Sequence, residues 1–359
     1  MTIVQARYKI IDEAPLSGAY NMPDTVPLSL NTWFSGEFQD LYSAYYEYKM
    51  GFRPTFIRLH NEFRFRLFNK GVPHVILARE NQLYEWMYWG HFRGYLAQPV
   101  DTVRERVKRI QELKDHLEQS GVPFMVIIGA NKARYMPEYL RANYGKEEVL
   151  PNNYKTYLSA LDSTDIKVVD FNQVFLDMKP EMGKKMFPNS GTHWSAYGMG
   201  LCLDSILSYA NRRNPESLKQ ARVRGHYLAD STLPSDLDLA DNLNLLLPYP
   251  LNSNLFPEIE IGTSGRKTRI FAIGDSFYWN LYQLDEFFEV ADTGGHYWYY
   301  NRSEVHFDNS KVPVEQLNPV EIAAHSDIVV IISTEANLDT FPFGFPKDFF
   351  RSLAAKKQP

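Results

Sequence analysis

A serine at the end of a predicted strand is the residue in this sequence best suited to nucleophilic chemistry. Residues 269–273 are predicted to form a strand, and Gly274, Asp275 and Ser276 follow it directly. Parallel sheets bind ligands at the carboxyl ends of their strands, and a helix N-terminus offers backbone N–H groups to an oxyanion. Ser276 is therefore a candidate nucleophile for acyl-ester chemistry, with Asp275 bracing the turn. The alternative is an ordinary helix N-cap without a catalytic role.

A serine nucleophile needs a base within hydrogen-bond reach, and His193 is the best candidate among the nine histidines. It lies in a turn-rich stretch that leads into a predicted helix, so its imidazole is displayed at a loop–helix junction. Thr192 and Trp194 flank it as candidate supporting residues, with Trp194 placed to wall the site. The alternative for any single histidine is a buried structural role.

The elements that must position these residues alternate along the chain. Apolar runs at 123–128, 166–170, 268–273 and 327–332 predict buried strands, and residues 103–117, 154–161, 195–210 and 277–288 predict helices. Residues 83–88 also suggest a short strand. This alternation predicts an α/β fold of three layers, with a mostly parallel sheet and helices on both faces.

The domain organisation is predicted as one α/β unit with an N-terminal helical extension. Residues 1–70 are expected to form an arm and helices packed on the core, and residues 71–359 a single structural unit. Residues 230–266 show the least periodicity and are predicted to be an irregular insertion.

Composition and charge exclude several classes of function. The net charge of −5 argues against a nucleic-acid partner, which would need a basic surface. The single cysteine excludes a disulfide framework or a CxxC metal site, and no metal or other cofactor is expected. The sequence contains no run of 18 apolar residues, so it predicts no membrane span. Residues 1–20 lack signal-peptide character, and an anchor upstream of this chain is an open expectation.

The stretches "GTHWSAYG" and "IFAIGDSFYWN", in that order, resemble the SGNH-hydrolase-like domain of the alginate O-acetyltransferases of the AlgX/AlgJ type. That family carries Asp-x-His-Trp upstream of Gly-[Asp/Thr]-Ser, the reverse of the order in ordinary SGNH esterases. The segments "VILARENQLYEWMYW" and "PFMVIIGANKARYMPEYL" are similar to further family segments, so the resemblance extends over most of the chain.

The resemblance implies Ser276 as nucleophile, His193 as general base, and acetyl transfer to hydroxyls of an exported polysaccharide. It implies an integral-membrane O-acyltransferase as the partner that supplies the acetyl group, and a location in the periplasm or at the cell surface. Two alternatives stay open, namely a carbohydrate acetylesterase that uses the same site and a catalytically degenerate polysaccharide-binding protein.

One departure from the family concerns the third member of the triad. Gly191 stands where the family has its aspartate, two residues before the histidine, so another carboxylate is needed to orient the imidazole. Asp170 and Glu335, each at the end of a predicted strand, are the candidates. The remaining supporting candidates are donors to an oxyanion or a sugar carboxylate, namely Asn131, Lys132 and Arg302.

Overall fold

The computed structural model of the chain describes residues 2–18, 22–214 and 216–355. Its strands are β1 Val75–Leu77, β2 Leu83–Glu85, β3 Phe124–Gly129, β4 Lys167–Asp170, β5 Ala221–Ala229, β6 Asn254–Ile261, β7 Ile270–Gly274, β8 His296–Tyr299, β9 Ser303–Val305, β10 Lys311–Pro313 and β11 Ile328–Thr334. Its helices are α1 Thr2–Tyr8, α2 Leu30–Phe34, α3 Glu37–Lys49, α4 Arg53–Phe68, α5 Trp86–Phe92, α6 Val100–Gln119, α7 Lys132–Tyr135, α8 Asn153–Leu161, α9 Phe171–Met182, α10 Ala196–Arg213, α11 Asp238–Asn242, α12 Ser276–Trp279, α13 Asp285–Val290, α14 Pro319–Ala324 and α15 Phe345–Ala355.

The central sheet has the strand order β10-β9-β8-β7-β11-β3-β4. The strands from β8 to β4 run parallel, while β9 and β10 pair antiparallel at one edge. Two hairpin-like pairs, β1 with β2 and β5 with β6, lie outside this sheet. The predicted α/β class with a mostly parallel sheet is confirmed.

Both faces of the sheet are buried because alternate residues of the central strands enter different cores. In β3, Met125 and Ile127 pack with residues of α9 and α10, whereas Val126 and Ile128 pack with residues of α6, α8 and α15. The same division occurs in β7 and β11, which explains why these strands are continuous apolar runs. The sheet is therefore a rigid platform, and its carboxyl edge is where loops are free to carry chemistry.

Three local predictions were wrong in detail. Residues 277–288 form α12, a 3₁₀ turn and then α13, because the extended backbone of Leu284 interrupts the helix. Residues 83–88 form β2 and then the start of α5. The 230–266 stretch contains a 3₁₀ turn at Pro234–Asp236, helix α11 and strand β6, which pairs with β5.

In the N-terminal part, α3 and α4 bury no residue completely. Helix α4 contacts the chain near residue 245, where the Asn61 side-chain amide donates to the Leu243 carbonyl at 2.9 Å and Phe65 packs on Tyr249. The division into 1–70 and 71–359 stays a prediction, and residues 1, 19–21, 215 and 356–359 of these ranges lie outside the described residues.

Candidate active site

The serine turn lies where β7 meets the neighbouring strand β11. A Cβ atom at Gly274 would come within 2.6 Å of the Ile332 carbonyl oxygen, so only glycine fits between the two strands. Asp275 is the N-cap of α12, and Ser276 is the first residue of that helix. The close approach of the strands therefore fixes where the serine leaves the sheet.

Asp275 braces this turn, as the sequence predicted. Its Oδ2 accepts hydrogen bonds from the Thr334 backbone N–H at 2.7 Å, the Thr334 hydroxyl at 2.9 Å and the Asn337 amide at 2.8 Å. Complete burial raises the pKa of Asp275, although hydrogen bonds from Thr334, Asn337 and Phe277 favour its ionised form. The carboxylate thus ties the start of α12 to the end of β11.

His193 and Ser276 are in direct contact. The His193 Nε2 lies 2.8 Å from the Ser276 Oγ, although 82 residues separate them in the sequence. Trp194 is fully buried and packs its ring on Phe171 and Phe277, and His193 itself lies against Phe277. Ser195 then caps α10. The aromatic neighbours hold the histidine loop over the serine turn, which is the arrangement that a base and its nucleophile require.

The carboxylate that contacts His193 is Asp238, which sequence analysis missed. Its Oδ2 lies 2.6 Å from the His193 Nδ1, and its Oδ1 accepts the Thr192 backbone N–H at 2.9 Å. Burial alone would lower the pKa of His193, but the charge and hydrogen bond of Asp238, with the charge of Glu85, raise it above 6.5. The carboxylate therefore orients the ring and favours its protonated form.

Gly191 is the residue that allows Asp238 to reach this position. A Cβ atom at Gly191 would lie 2.7 Å from the Ser235 carbonyl oxygen and 2.8 Å from that of Asp236. The adjacent Ser190 hydroxyl donates to the Asp236 carbonyl at 2.6 Å, and its own carbonyl accepts the Ala240 N–H at 2.9 Å. Gly191 is thus a packing requirement for the segment that brings in the replacement carboxylate.

The two acids proposed from the sequence do not contact His193, and this expectation was wrong. Glu335 is buried in a bidentate ion pair with Arg134, at 2.6 and 2.7 Å. Asp170 accepts the Tyr154 hydroxyl at 2.7 Å and caps α9. Glu335 follows β11 and Asp170 ends β4, and at these positions both carboxylates have partners other than His193.

The other supporting candidates are structural or remote in this fold. Asn131 caps α7 and donates to the Tyr88 carbonyl at 2.8 Å. The buried Lys132 ammonium donates to the carbonyls of Pro188 and Gly191, at 2.6 and 2.9 Å, and burial lowers its pKa to about 7. Arg302 is exposed and does not line the pocket. Lys132 therefore stabilises the histidine loop by hydrogen bonds to its carbonyl groups, and it does not donate to an oxyanion.

Ser276 and His193 open into a pocket of about 220 Å³. Its wall contains aromatic, aliphatic and amide side chains together with two carboxylates, and the lining residues are His74, Glu85, Met87, Tyr88, Thr192, His193, Asp238, Leu239, Asn242, Ser276, Tyr300, Ala336 and Asn337. Burial raises the pKa of Glu85 to about 7, and the charge of Asp238 adds to the rise. A larger surface cavity of about 950 Å³ against α6 and α8 contains no triad residue.

No group of three or more histidine, cysteine, aspartate or glutamate side chains could hold a metal ion in residues 2–18, 22–214 and 216–355. Over the same ranges, no helix is long and apolar enough to cross a membrane.

A mostly parallel sheet with a Ser–His–Asp arrangement at its carboxyl edge defines the class of SGNH-hydrolase-like α/β proteins. Residues 84–258 match the family model described as "SGNH hydrolase-like domain, acetyltransferase AlgX". Over this range the chain matches the AlgX/AlgJ-type family, which confirms the resemblance found in the sequence. His193 and Asp238 lie inside the matched range, and Ser276 follows it.

Among curated relatives, the probable alginate O-acetylase AlgJ of Pseudomonas putida is 26% identical over 197 residues, which is 54% of this chain and 47% of that protein. The AlgJ of Pseudomonas fluorescens is 22% identical over 247 residues, or 68% and 60% of the two chains. This chain thus spans about half the length of the first of these relatives and three fifths of the second.

Two solved structures are similar to the chain. The O-acetyltransferase domain of Pseudomonas putida AlgJ has 17% identity and a TM-score of 0.48, and the match covers 78% of this chain and all of that domain. Pseudomonas aeruginosa AlgX has 15% identity and a TM-score of 0.47, with 75% of this chain and 66% of AlgX covered.

Proposed function

We propose that the chain is a polysaccharide O-acetyltransferase that carries the acetyl group on Ser276. The observation that carries this proposal is the continuous contact from Ser276 Oγ through both nitrogens of His193 to Asp238, at 2.8 and 2.6 Å. The match to the AlgX/AlgJ-type family supports acetyl transfer as the reaction, and the relatives named alginate O-acetylases support a polysaccharide as acceptor.

The first half of the reaction forms the acyl-enzyme. The Ser276 oxygen attacks the carbonyl carbon of an acetyl ester while His193 Nε2 accepts the serine proton, and Asp238 stabilises the resulting imidazolium. The tetrahedral intermediate collapses, the bond to the donor's leaving oxygen breaks, and His193 returns the proton to that oxygen. A positioned base of this kind contributes roughly 10²–10⁴ in rate.

The second half transfers the acetyl group. A sugar hydroxyl enters the pocket, His193 accepts its proton, and the sugar oxygen attacks the acetyl carbonyl. The bond to Ser276 then breaks, and the serine oxygen recovers the proton from His193. The oxyanion needs backbone donors, and Asp275 already binds the N–H of Phe277. The N–H of Ser276, at the first position of α12, is the donor we assign to this role.

The match to this family supports an inference about the acetyl donor and about the location. We infer that a membrane-bound O-acyltransferase supplies the acetyl group, and that the chain acts on its polysaccharide acceptor in the periplasm or at the cell surface. Neither step requires a metal or a redox cofactor, because the nucleophile, base and acid are all side chains of this protein.

The proposal is tested with p-nitrophenyl acetate as donor and a mixture of oligosaccharides as acceptors. We expect a burst of p-nitrophenol equal to the enzyme concentration, an acetyl group on Ser276 in the mass spectrum, and acetylated sugar as product. Ser276→Ala should abolish all three, whereas Ser231→Ala, an exposed serine, should retain them. Measuring free acetate beside acetyl-sugar gives the partition between hydrolysis and transfer. Full transfer by Ser276→Ala would exclude the acyl-enzyme.

A further inference from the structure

A second groove, of about 420 Å³, lies between the C-terminal part of α4, strand β1, the start of α5 and the 3₁₀ turn at Ala142–Tyr144. Its volume is within the range of roughly 300–1,000 Å³ that is common for ligand sites. The side chains that give the groove its chemistry are Arg64, Phe68, Lys70, Trp86, Arg141 and Tyr144. None of them takes part in the transfer of the acetyl group proposed above.

The groove and the serine pocket share one wall. His74 lines the pocket, and the next residue, Val75, lines the groove. On the neighbouring segment Trp86 lines the groove, while Glu85 and Met87 on either side of it line the pocket. The Trp86 backbone N–H donates to the His74 carbonyl at 2.9 Å, which holds the two segments side by side. A sugar chain that leaves the pocket across this wall therefore enters the groove directly.

The groove is positively charged. Arg64, Lys70 and Arg141 line it, and its lining in the described residues contains no aspartate or glutamate. None of the three cations forms an ion pair with a described carboxylate, whereas Arg66, also on α4, pairs with Glu62 at 2.7 Å. The chain as a whole has a net charge of −5, so this local excess of positive charge is a property of the groove. Such a concentration of unpaired cations favours an anionic ligand.

The groove also offers a fixed aromatic surface. The Trp86 side chain is 41% exposed, and its ring packs against that of Trp89 with 4.5 Å between the ring centroids. Trp89 is buried, and its indole N–H donates to the Tyr144 carbonyl at 2.8 Å. Trp86 is therefore held in place from behind while its outer face stays accessible, as an aromatic ring must be to stack on a sugar ring.

Given the acetyl transfer proposed above, on which this inference depends, we propose that the groove is a subsite for the acceptor chain and that it binds an anionic glycan. The sugar unit that receives the acetyl group occupies the serine pocket. A neighbouring unit stacks on Trp86 and directs its carboxylate towards the cations of the groove, namely Arg64, Lys70 and Arg141. A single sugar unit cannot occupy both sites, so longer acceptors should bind more tightly than monosaccharides.

Binding is measured by titration calorimetry with the full chain and without an acetyl donor. We expect oligogalacturonates to bind about 10-fold or more tightly than cello-oligosaccharides of the same length at low salt, and added salt should weaken this preference. Trp86→Ala should weaken oligogalacturonate binding about 10-fold, and the double variant Arg64→Gln/Arg141→Gln should weaken it several-fold and reduce its salt dependence. The controls Tyr227→Ala, an exposed aromatic residue on β5, and Lys347→Gln, an exposed cation on α15, should keep the native affinity.

Lysine labelling locates the bound chain in the native protein, without any substitution. Saturating oligogalacturonate should slow the reaction of Lys70 with acetic anhydride several-fold and leave that of Lys347 unchanged, as read by mass spectrometry. Equal affinity for the charged and neutral chains, native affinity in Trp86→Ala and in the arginine double variant, or an unshielded Lys70 would each overturn the assignment of the groove.

The p-nitrophenol burst of the native protein separates this inference from the proposed function. If the burst is present but oligogalacturonate does not shield Lys70, the groove assignment is wrong and the acyl-enzyme stands. If Lys70 is shielded but no burst is seen, the acyl-enzyme is wrong, and the groove remains a site for an anionic glycan without its role in acetyl transfer.

Discussion

Replacing Asp238 by asparagine tests the central feature of the site, because the change keeps the shape of the side chain and removes its charge. The asparagine oxygen can still accept the Thr192 N–H, so the amide nitrogen is directed at His193 Nδ1. That nitrogen must then act as an acceptor, and the proton moves to Nε2. A histidine in that tautomer cannot accept the proton of Ser276.

The size of the expected rate loss in Asp238→Asn follows from the distance between Asp238 and His193. The Asp238 oxygen lies 2.6 Å from His193 Nδ1, which places the centres of the two charges about 4 Å apart during catalysis. At an effective dielectric constant of about 20, such a pair is worth about 4 kcal/mol. The carboxylate is 25% exposed, so solvent screening reduces this to about 3 kcal/mol. We therefore expect the loss of charge alone to lower the rate of Ser276 acylation roughly 10²-fold, and the wrong tautomer of His193 to lower it further, towards roughly 10⁴-fold.

The assay is the p-nitrophenol burst rate measured from pH 5 to pH 9. His193 must be neutral to accept a proton, and its pKa in the native protein is raised above 6.5, so the native rate should rise with a midpoint above that pH. In Asp238→Asn the charge that raises the pKa is gone, and the midpoint should move to lower pH while the plateau falls. Asp241→Asn, exposed on the same helix, is the matched control and should follow the native profile.

Two results would refute this reasoning. One is an Asp238→Asn protein, folded by circular dichroism, that retains more than a third of the native plateau rate. The other is a loss of rate with no change in the pH midpoint, because the assigned contact cannot be removed without changing the basicity of His193.

Three further substitutions test how the site is supported. Gly191→Ala should displace the segment that carries Asp238 and lower the burst rate about 10-fold or more, whereas Gly262→Ala, whose Cβ would meet nothing closer than 3.4 Å, should be near native. Lys132→Met leaves buried carbonyls of the histidine loop without a donor, so chemical denaturation should show a loss of about 2–4 kcal/mol in unfolding free energy. In the same variant, kcat should fall more than KM rises. Glu335→Gln weakens the buried ion pair with Arg134 and should lower the unfolding free energy by about 3 kcal/mol. The control Glu105→Gln, which removes an exposed ion pair, should lower it by less than about 1 kcal/mol, and equal effects would contradict the burial argument.

The parts of the fold that could be predicted from the sequence are those with a strong local signal. The strands β3, β7 and β11 are buried on both faces, so each is an unbroken apolar run that needs no knowledge of its neighbours. Helix α10 carries a regular apolar face. The interruption at Leu284 has no such signal, because it depends on how α12 and α13 each pack against the sheet.

The contact between Ser276 and His193 could be anticipated because each lies in a recognisable turn ahead of a helix. Asp238 could not, because the information that places it is tertiary. Its segment, with Asp236, Asp238 and Asp241 within six residues, is a visible acidic cluster in the sequence. Nothing local indicates which of the three faces the histidine, and the sequence does not show that Gly191 packs against the backbone of residues 235–236.

The displaced acid changes how the site is built. In the family pattern the aspartate is two residues from the histidine, so one loop carries both. Here Asp238 starts α11, and the same short helix presents Leu239 and Asn242 to the pocket. The residue that contacts His193 and two residues that border the pocket therefore lie on the same short helix. Glu85, which lines the same pocket, also contributes to the raised pKa of His193, so the basicity of this histidine depends on two carboxylates from separate segments of the chain.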